Sequence, residues 1–517
     1  MFHVNKPGKS FINSAEYRDK VLGCWTGKNI GGTLGAPFEG KRSLFDVKFY
    51  TQDLKGNPAP NDDLDLQLAW LDAVEEHGLY NVNERVLGEY WLDMVCGPWN
   101  EYGICKFNMR NGFLPPLSGF CNNEQWKYSN GAWIRSEIWA CLFPGEAEEA
   151  AHFAWYDSCV DHYGDGIYAE IFTACLEAAA FIENDLRKLI NSALIRIPED
   201  CRIARSVKLV LDCYDKGDDW VTARNKVVED SKDLGWFQAP ANIAFTIIGL
   251  LYGEGDFAKS ICTAVNCGDD TDCTGATCGS VLGILKGRSG LPKEWIEPIG
   301  ESIQTVAVTT FNNRIPATLD ELTDRVIACK KIADAENPTL MRLTDGPTVV
   351  DQMLLDKLAD NFDTVKFVLS RPSNQMQYDL PFGTLCIQYE PSPEVSPNSD
   401  IKLRISFGSR RNSCYKLNLH WDLPEGWYFE NGCDTQTLMT YSKSFRSIEV
   451  TLHIGRFSSN FEYVPAKLFF AERSYPTCVV IPFQCKNTVE ANLKDNSSYQ
   501  ICFDTLNHIK ARIADRK

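Results

Sequence analysis

Three aspartates, Asp269, Asp270 and Asp272, lie within one four-residue turn at the start of a predicted helix. Carboxylates this close together repel one another unless a cation lies among them. The helix macrodipole stabilises each acidic side chain by only about 0.3–1 kcal/mol, which is less than this repulsion. Carboxylate oxygens suit a hard divalent cation, so the turn is a candidate metal site. The alternative is a solvated acidic loop that only caps the helix.

A second acidic turn, at residues 61–65, opens another predicted helix far upstream. It contains Asp62, Asp63 and Asp65, and it begins with Asn61, a favourable N-cap residue. Two helices that both begin with paired carboxylates can place four or more of them around one or two metal ions. The sequence therefore predicts that the two turns meet in the folded chain.

Glycines at helical spacing indicate close packing of two predicted helices, one of which is the helix that follows the turn at 269–272. Two sets recur every four residues: Gly23, Gly27, Gly31 and Gly35, and Gly275, Gly279, Gly283 and Gly287. Each Gly costs about 1 kcal/mol relative to Ala inside a helix. A neighbouring helix packed closely against each ridge would explain this cost. Lys28 and Asn29 within the first set favour packing in a soluble helical core over a transmembrane helix dimer.

Composition limits the class of protein. The chain has 517 residues, long enough for more than one domain, and its 44% hydrophobic content is ordinary for a globular protein. A net charge of −17 argues against a nucleic-acid or anionic-membrane partner, because such proteins need a basic face. No signal peptide or membrane-spanning stretch is evident, so we expect a cytoplasmic protein. The 20 cysteines are scattered, which favours buried free thiols over disulfides or a zinc site.

The apolar pattern changes near residue 365. Helical periodicity runs through the first two thirds of the chain, with helices predicted from about residue 14, at 167–181, 201–214, 220–231 and 241–252, and finally at 319–335. Short alternating runs separated by Pro and Gly turns follow, beginning with 365–369, and they predict a β-sandwich. We predict a helical domain over 1–336, a connector over 337–364 that is helical around 350–359, and a β-sandwich over 365–517.

One long region, residues 96–128, has neither helical nor strand periodicity and is rich in aromatic residues, Asn, Gly and Pro. Loops of this length in a compact domain are usually functional or disordered, and the aromatic content argues against disorder. We predict that this region forms a substrate-facing wall. Ordinary core packing is the alternative.

The order of these motifs resembles that of the ADP-ribosylglycohydrolase family over about residues 17–335. The resemblance rests on five elements: 31–39 (GGTLGAPFE), 61–63 (NDD), 130–135 (NGAWIR), 158–162 (SCVDH) and 270–272 (DTD). Each element alone is a weak signal, but five in the same order are specific. The β-rich C-terminal part lies outside the resemblance.

The resemblance implies an all-α domain with a dinuclear Mg²⁺ site that cleaves the bond between an anomeric ribose carbon and its acceptor. The predicted metal ligands are Asn61, Asp62, Asp63, Asp270, Asp272 and Cys273. The predicted catalytic residues are Glu39 and Asp63. The predicted substrate-binding residues are Gly119, Asn130, Gly131, Arg135 and His162. The expected partner is a small-molecule or ADP-ribosylated protein substrate, and the sequence does not indicate an oligomeric state.

Three positions depart from the family pattern: Asn61 and Cys273 stand where the family usually has Thr, and Gly32 where it usually has Asp. An Asn carbonyl still suits a hard cation, whereas a Cys sulfur is a poor ligand for magnesium. Thr274 or a water could substitute for the sulfur, or one of the two metals could bind weakly. The additional carboxylates Asp65 and Asp269 could compensate, or have solvated or structural roles.

Three classes of function remain open. In a hydrolase of an ADP-ribosyl or related ribosyl N- or O-glycosidic bond, two metal ions would polarise ribose hydroxyls and lower the pKa of a water, while Glu39 moves the proton. A glycoside hydrolase for a different sugar is favoured by the aromatic region and the appended sandwich. A non-catalytic protein that binds ADP-ribose or another sugar would fit the Asn61 and Cys273 replacements. For His162 and Arg135, a structural hydrogen bond and an ordinary ion pair are the alternatives.

Overall fold

The computed structural model describes residues 9–308, 314–337, 339–360, 364–411, 414–440 and 445–488. The chain divides into two compact units. The helical unit comprises residues 1–97, 125–158 and 162–370, and the strand-rich unit comprises residues 98–124, 159–161 and 371–517. Across the described ranges, every helix is too short or too polar to cross a lipid bilayer.

The helices follow the predicted periodicity through most of the chain. In order they are α1 (Ser14–Gly35), α2 (Asp62–His77), α3 (Glu84–Asp93), α4 (Asn100–Arg110), α5 (Leu117–Phe120), α6 (Glu137–Leu142), α7 (Ala147–Ser158), α8 (Asp165–Ala179), α9 (Leu186–Leu194), α10 (Arg202–Asp215), α11 (Trp220–Asp230), α12 (Ala239–Tyr252), α13 (Phe257–Asn266), α14 (Thr271–Lys286), α15 (Lys293–Ile296), α16 (Leu319–Glu336), α17 (Gln352–Leu358) and α18 (Thr364–Leu369). All except α4 and α5 belong to the helical unit. That unit also contains a short parallel pair, β1 (Ser10–Asn13) and β2 (Met341–Thr344).

The two glycine sets pack α1 directly against α14, which confirms the predicted close packing of each ridge and identifies its partner helix. A Cβ atom on Gly27 would lie 2.0 Å from the carbonyl oxygen of Gly279, and one on Gly279 would lie 2.1 Å from that of Gly27. Gly31 faces Gly275 in the same way. The two backbones therefore touch along the ridge, and no residue larger than Gly fits without separating the helices.

The glycine contact also brings the end of α1 to the beginning of α14. A Cβ atom on Gly35 would lie 2.1 Å from the carbonyl oxygen of Thr271, and the Thr271 hydroxyl donates to the Gly35 carbonyl at 2.8 Å. Gly35 is followed by a 3₁₀ turn, Ala36–Phe38, in which Pro37 prevents α1 from continuing. Glu39 consequently emerges beside the acidic turn at 270–272.

The strand-rich unit contains two sheets with a common core. Its strands are β3 (Gln375–Leu380), β4 (Gly383–Glu390), β5 (Glu394–Val395), β6 (Ser399–Ser409), β7 (Tyr415–Trp421), β8 (Tyr428–Phe429), β9 (Thr435–Thr440), β10 (Phe445–Ile454), β11 (Phe461–Phe470) and β12 (Thr477–Cys485). In the described part of the unit they form two five-stranded sheets, ordered β3-β4-β6-β10-β8 and β5-β12-β11-β7-β9. Buried residues of both sheets, such as Leu403 and Leu417, share one apolar cluster. The predicted fold class, an all-α domain followed by a β-sandwich, is confirmed.

Residues 98–124 differ from the prediction of an irregular substrate-facing wall. The segment contains α4 and α5, and it belongs to the strand-rich unit. Phe113 and Leu117 are fully buried in the core cluster of that unit, where Phe113 lies 5.9 Å from the ring of Phe461. For these residues the alternative of ordinary core packing is correct. The linear division into domains did not anticipate this, because the partners of Phe113 lie more than half the chain away.

The segment 365–369, predicted as the first strand of the sandwich, lies in the helix α18 (Thr364–Leu369). Its Phe367 packs in the helical unit, 4.2 Å from the ring of His152 and 5.6 Å from that of Trp155. This tertiary contact outweighs the strand preference of a run rich in Val and Phe. In the connector, α17 confirms the helix predicted around 350–359.

Candidate metal centre

The first acidic turn is held by the N-terminal cap of α2. Asn61 adopts an extended conformation and its Oδ1 accepts the backbone N–H of Asp63 at 2.9 Å. The predicted ligand Asn61 therefore has a capping role in this structure. A Cβ atom on Gly32 would lie 2.5 Å from Nδ2 of Asn61. The departures at positions 32 and 61 are thus coupled, because the Asn61 side chain takes the space that a larger residue at 32 would need.

The second acidic turn opens α14. The backbone N–H of Asp270 donates to Oδ1 of Asn242 at 3.1 Å, and Oδ2 of Asp270 accepts from Nδ2 of Asn130 at 2.6 Å. Asn130 is oriented in turn by Trp133, whose Nε1 donates to its Oδ1 at 3.0 Å. The Asp270 carboxylate therefore has a fixed direction, with one oxygen bound and the other left toward the site.

The structure brings the two turns together, as predicted. Two groups of side chains each place their ligand atoms within 4.8 Å of one another: Asp63, Asp272 and Cys273, and Glu39, Asp270 and Asp272. Asp272 belongs to both groups, so the two positions are adjacent. Asp62 belongs to neither group, but it is close enough for its charge to raise the pKa of Asp63 and of Glu39.

The donor atoms present fit a cation. One carboxylate oxygen each of Asp63, Asp270 and Asp272 is buried and has no hydrogen-bond donor among the described residues. Burial, followed by the charge of Asp272, raises the pKa of the Asp270 carboxyl well above its ordinary value. Burial likewise raises the pKa of Asp63, although the charge of Lys28 opposes the shift. Buried carboxylates without donors are costly, and divalent cations with oxygen ligands remove that cost.

Cys273 lies beside Asp63 in the centre. Its Sγ donates to Oδ1 of Asp63 at 3.5 Å, a normal length for a sulfur donor. Burial, followed by the charges of Asp270 and Asp63, raises the pKa of the Cys273 thiol well above its ordinary value. The thiolate form, which soft metals require, is therefore disfavoured in this surrounding. This donor set favours a hard cation held by carboxylates.

Glu39 differs from the other carboxylates because it is exposed. Partial burial of its carboxyl, followed by the like charges of Asp272 and Asp62, raises its pKa to about 7. A carboxyl group that titrates near neutral pH can both accept and donate a proton under physiological conditions. Glu39 therefore combines access to solvent with the property expected of a general acid–base group.

The predicted substrate-binding residues have several different surroundings. Arg135 forms a fully buried ion pair with Asp157, with 2.8 Å between Nε and Oδ1, and it also donates to the Gly131 carbonyl. Nε2 of His162, also fully buried, lies 3.0 Å from the hydroxyl of Ser129. Gly119 lies in α5, within the strand-rich unit, where its carbonyl accepts from Asn123. The ion pair that was the alternative for Arg135 is thus present. The substrate-binding roles stay predictions for all five residues, Gly119, Asn130, Gly131, Arg135 and His162.

The additional carboxylates Asp65 and Asp269 have structural partners outside both groups. Oδ2 of Asp65 accepts the backbone N–H groups of Val306 and Ala307, each at 2.6 Å, while burial raises its pKa to about 8. Asp269 accepts from Arg42 at 2.7 Å. Sequence reasoning missed Asn242, Arg42 and the buried residues Lys28, Gln67, Glu137 and Ser280. Most of these are single polar residues within helices, and Arg42 lies in an irregular segment, so no spacing signal marked them.

Two similarities to known proteins agree with this geometry. A sequence model described as ADP-ribosylglycohydrolase matches residues 13–331, a range that contains both acidic turns, both glycine sets and Glu39. ADP-ribosylarginine hydrolase Tri1 of Pseudomonas putida (strain GB-1) is 39% identical over 74 residues. That stretch covers 14% of this chain and 19% of Tri1, so this chain matches about a fifth of the relative's length.

Proposed function

This chain belongs to the ADP-ribosylglycohydrolase family, and from that premise we propose that it hydrolyses an ADP-ribosyl N- or O-glycosidic bond with Mg²⁺ bound at the centre formed by α2 and α14. The observation that carries the proposal is the pair of adjacent ligand groups that share Asp272. Three buried carboxylate oxygens without donors among the described residues support two cations rather than hydrogen bonds at this position.

Each residue of the centre has a distinct task in this proposal. Asp63, Asp270 and Asp272 would hold the ions, and Asn130 and Asn242 would keep Asp270 in its orientation. When bound, Mg²⁺ would supply Lewis-acid polarisation of the ribose hydroxyls and of a water molecule. The protonated thiol of Cys273 would direct Asp63 by donating to it, without acting as a ligand.

Glu39 would move the proton during hydrolysis. The oxygen of the attacking water forms a bond to the anomeric carbon, and Glu39 takes the proton that this water loses. The bond from the anomeric carbon to the nitrogen or oxygen of the acceptor breaks, and the acceptor leaves with the electron pair and receives the proton from Glu39, which returns to its carboxylate form. Positive charge develops on the ribose in the transition state.

We propose ADP-ribosylated arginine as the first substrate to test, because the name of the curated relative specifies this linkage. The test is a hydrolysis screen of ADP-ribosylated arginine, ADP-ribosylated serine, nucleosides and aryl glycosides, each with and without Mg²⁺. We expect release of free ADP-ribose from one of the first two substrates, only with Mg²⁺. Turnover of aryl glycosides alone would instead assign a different sugar, and no turnover of any substrate would refute hydrolysis.

The role of Glu39 has its own test. Glu39→Gln keeps the size of the side chain and removes its acid–base function, so we expect a loss of turnover on the order of 10²–10⁴-fold. The matched control is Glu297→Gln, the same change at an exposed position outside both ligand groups. Full activity in folded Glu39→Gln would exclude this residue as the proton carrier while leaving the hydrolase assignment intact.

A further inference from the structure

Glu137, the first residue of α6, is a fully buried carboxylate that no sequence motif marked. Its Oε1 accepts from Nζ of Lys28 at 2.6 Å and lies 2.9 Å from the hydroxyl of Ser280. Its Oε2 accepts from Nε2 of Gln67 at 2.8 Å. One side chain therefore connects α1, α2, α6 and α14, the helices that carry both acidic turns and the glycine contact.

The connection leads directly to a predicted metal ligand. Nε2 of Gln67 also donates to the backbone carbonyl of Asp63 at 3.0 Å, and Oε1 of Gln67 accepts the N–H of Ile138 at 2.8 Å. Gln67 is thus fixed at both ends of its amide group. Because Gln67 lies one turn after Asp63 on α2, its position determines where the first acidic turn lies relative to Glu137.

The second acidic turn is connected through α14. Ser280 is on the same helix as Asp272, two turns further on, and its hydroxyl faces Glu137. Lys28 completes the arrangement from α1, where its Nζ also donates to the Ile134 carbonyl at 2.7 Å. Replacing a buried ion pair by apolar residues of equal size is often neutral or stabilising, so net stability alone does not account for the pair of Lys28 and Glu137.

We propose that Glu137 is a positioning residue of the metal centre, which fixes the separation of the α2 and α14 acidic turns through Gln67 and Ser280. This role rests on the proposed function, since it presumes that the two turns bind metal. Groups outside the ligand set that orient ligands typically change metal affinity by about 10- to 100-fold when they are mutated. Glu137 should therefore affect Mg²⁺ binding although it offers no ligand atom itself.

Glu137→Gln is the most selective perturbation, because an amide cannot accept all the hydrogen bonds that the two carboxylate oxygens accept. If the carbonyl oxygen of the introduced amide faces Lys28 and Ser280, its NH₂ group faces the NH₂ group of Gln67. Gln67 cannot rotate its amide, because its oxygen already accepts the Ile138 N–H. If the introduced amide is turned the other way, its NH₂ group faces the ammonium group of Lys28 instead. One buried connection of Glu137 is therefore broken in either arrangement.

The experiment measures Mg²⁺ binding by calorimetry, together with the melting temperature of the metal-free protein. The variants are Glu137→Gln and Gln67→Met, which breaks the same connection without leaving a buried charge unpaired. The control is Glu146→Gln, a change at another buried carboxylate of the helical unit, which accepts the N–H groups of Leu340 and Met341. We expect 10- to 100-fold weaker Mg²⁺ binding in both test variants and unchanged binding in Glu146→Gln, despite its lower melting temperature.

The double variant with both Glu137→Gln and Gln67→Met tests whether the two residues affect Mg²⁺ affinity through the same connection or independently. If Glu137 acts through Gln67, the double variant should bind Mg²⁺ about as weakly as either single variant. Wild-type affinity in folded Glu137→Gln and Gln67→Met would reduce Glu137 to a structural residue, as would an equal loss in Glu146→Gln. No Mg²⁺ binding in the wild-type protein would refute the metal centre itself, and this role with it.

Discussion

Asp270→Asn should make the metal-free protein more stable and yet abolish most of its stabilisation by Mg²⁺. In the wild-type protein, one oxygen of Asp270 is buried without a donor among the described residues, close to Asp272 and Glu39. An Asn side chain at position 270 would keep its oxygen toward Asn130 and present an NH₂ group to these carboxylates. A repulsive contact would become a hydrogen bond, while one charge that binds the cation would be lost.

The magnitude follows from the geometry of the ligand groups. The ligand atoms lie within 4.8 Å of one another, and two unit charges at that distance repel by about 3 kcal/mol at an effective dielectric constant of about 20. Proton uptake limits this repulsion in the metal-free protein, because the pKa of Asp270 is raised. We therefore expect a gain of about 1–3 kcal/mol in the metal-free variant. At 100 times its dissociation constant, Mg²⁺ should add about 2.7 kcal/mol to the wild-type protein and little to the variant.

The assay is thermal unfolding of both proteins after chelator treatment and again with saturating Mg²⁺. The control is Asp269→Asn, the same change one residue earlier, where the carboxylate is paired with Arg42. Asp269→Asn should lower the melting temperature and retain the Mg²⁺ shift, which is the opposite of Asp270→Asn on both counts. A lower melting temperature in metal-free Asp270→Asn, or a Mg²⁺ shift equal to that of the wild type, would refute the reasoning.

Three further outcomes are expected. Burial raises the pKa of Asp63 and Asp270, so the metal-free folded state holds protons that the unfolded state has released. The melting temperature of the metal-free protein should therefore fall from pH 5 to pH 8. A pH dependence of the melting temperature that saturating Mg²⁺ leaves unchanged would contradict this. Gly27→Ala should destabilise the protein by about 3 kcal/mol or more, because its Cβ would lie 2.0 Å from the Gly279 carbonyl oxygen. The control Gly235→Ala should be nearly neutral in thermal unfolding, because no atom of the described residues lies within 4 Å of the added Cβ. Cys273→Thr should leave the Mg²⁺ affinity measured by calorimetry unchanged or tighter. The control Cys278→Thr should do the same. A large loss of Mg²⁺ affinity in Cys273→Thr alone would mean that the sulfur coordinates a softer metal.

The acidic turns were the part of the site that the sequence marked most clearly. Paired carboxylates at helix N-termini are repulsive without a cation, so their presence in two places is informative in itself. The glycine spacing was equally informative, since a costly feature repeated every four residues needs a packing partner. These local signals predicted that each glycine ridge packs closely against another helix and that the two acidic turns meet. They did not predict that α1 and α14 are each other's partners, which the structure shows.

Other features depended on partners that are distant in sequence. Arg135 is a predicted substrate-binding residue, and the structure adds a buried ion pair with Asp157 that its sequence position did not indicate. The run at 364–369 has strand-like composition, yet contacts with His152 and Trp155 accompany its helical form. Phe113 looked like part of a ligand-facing loop, but its neighbours lie in the strand-rich unit. In the last two cases the local sequence allows two environments, and burial against remote residues selects one.

The sequence by itself indicated a candidate metal site and close packing of two glycine-lined helices. The repulsion among closely spaced carboxylates and the backbone cost of glycine are local properties that any fold must resolve. Only the tertiary structure decided which carboxylate oxygens have no donor among the described residues, that Cys273 donates a hydrogen bond to Asp63, and that Glu137 joins the helices beneath the site. Hydrogen-bond direction and burial depend on the relative positions of four helices, and these positions result from the packing of the whole helical unit.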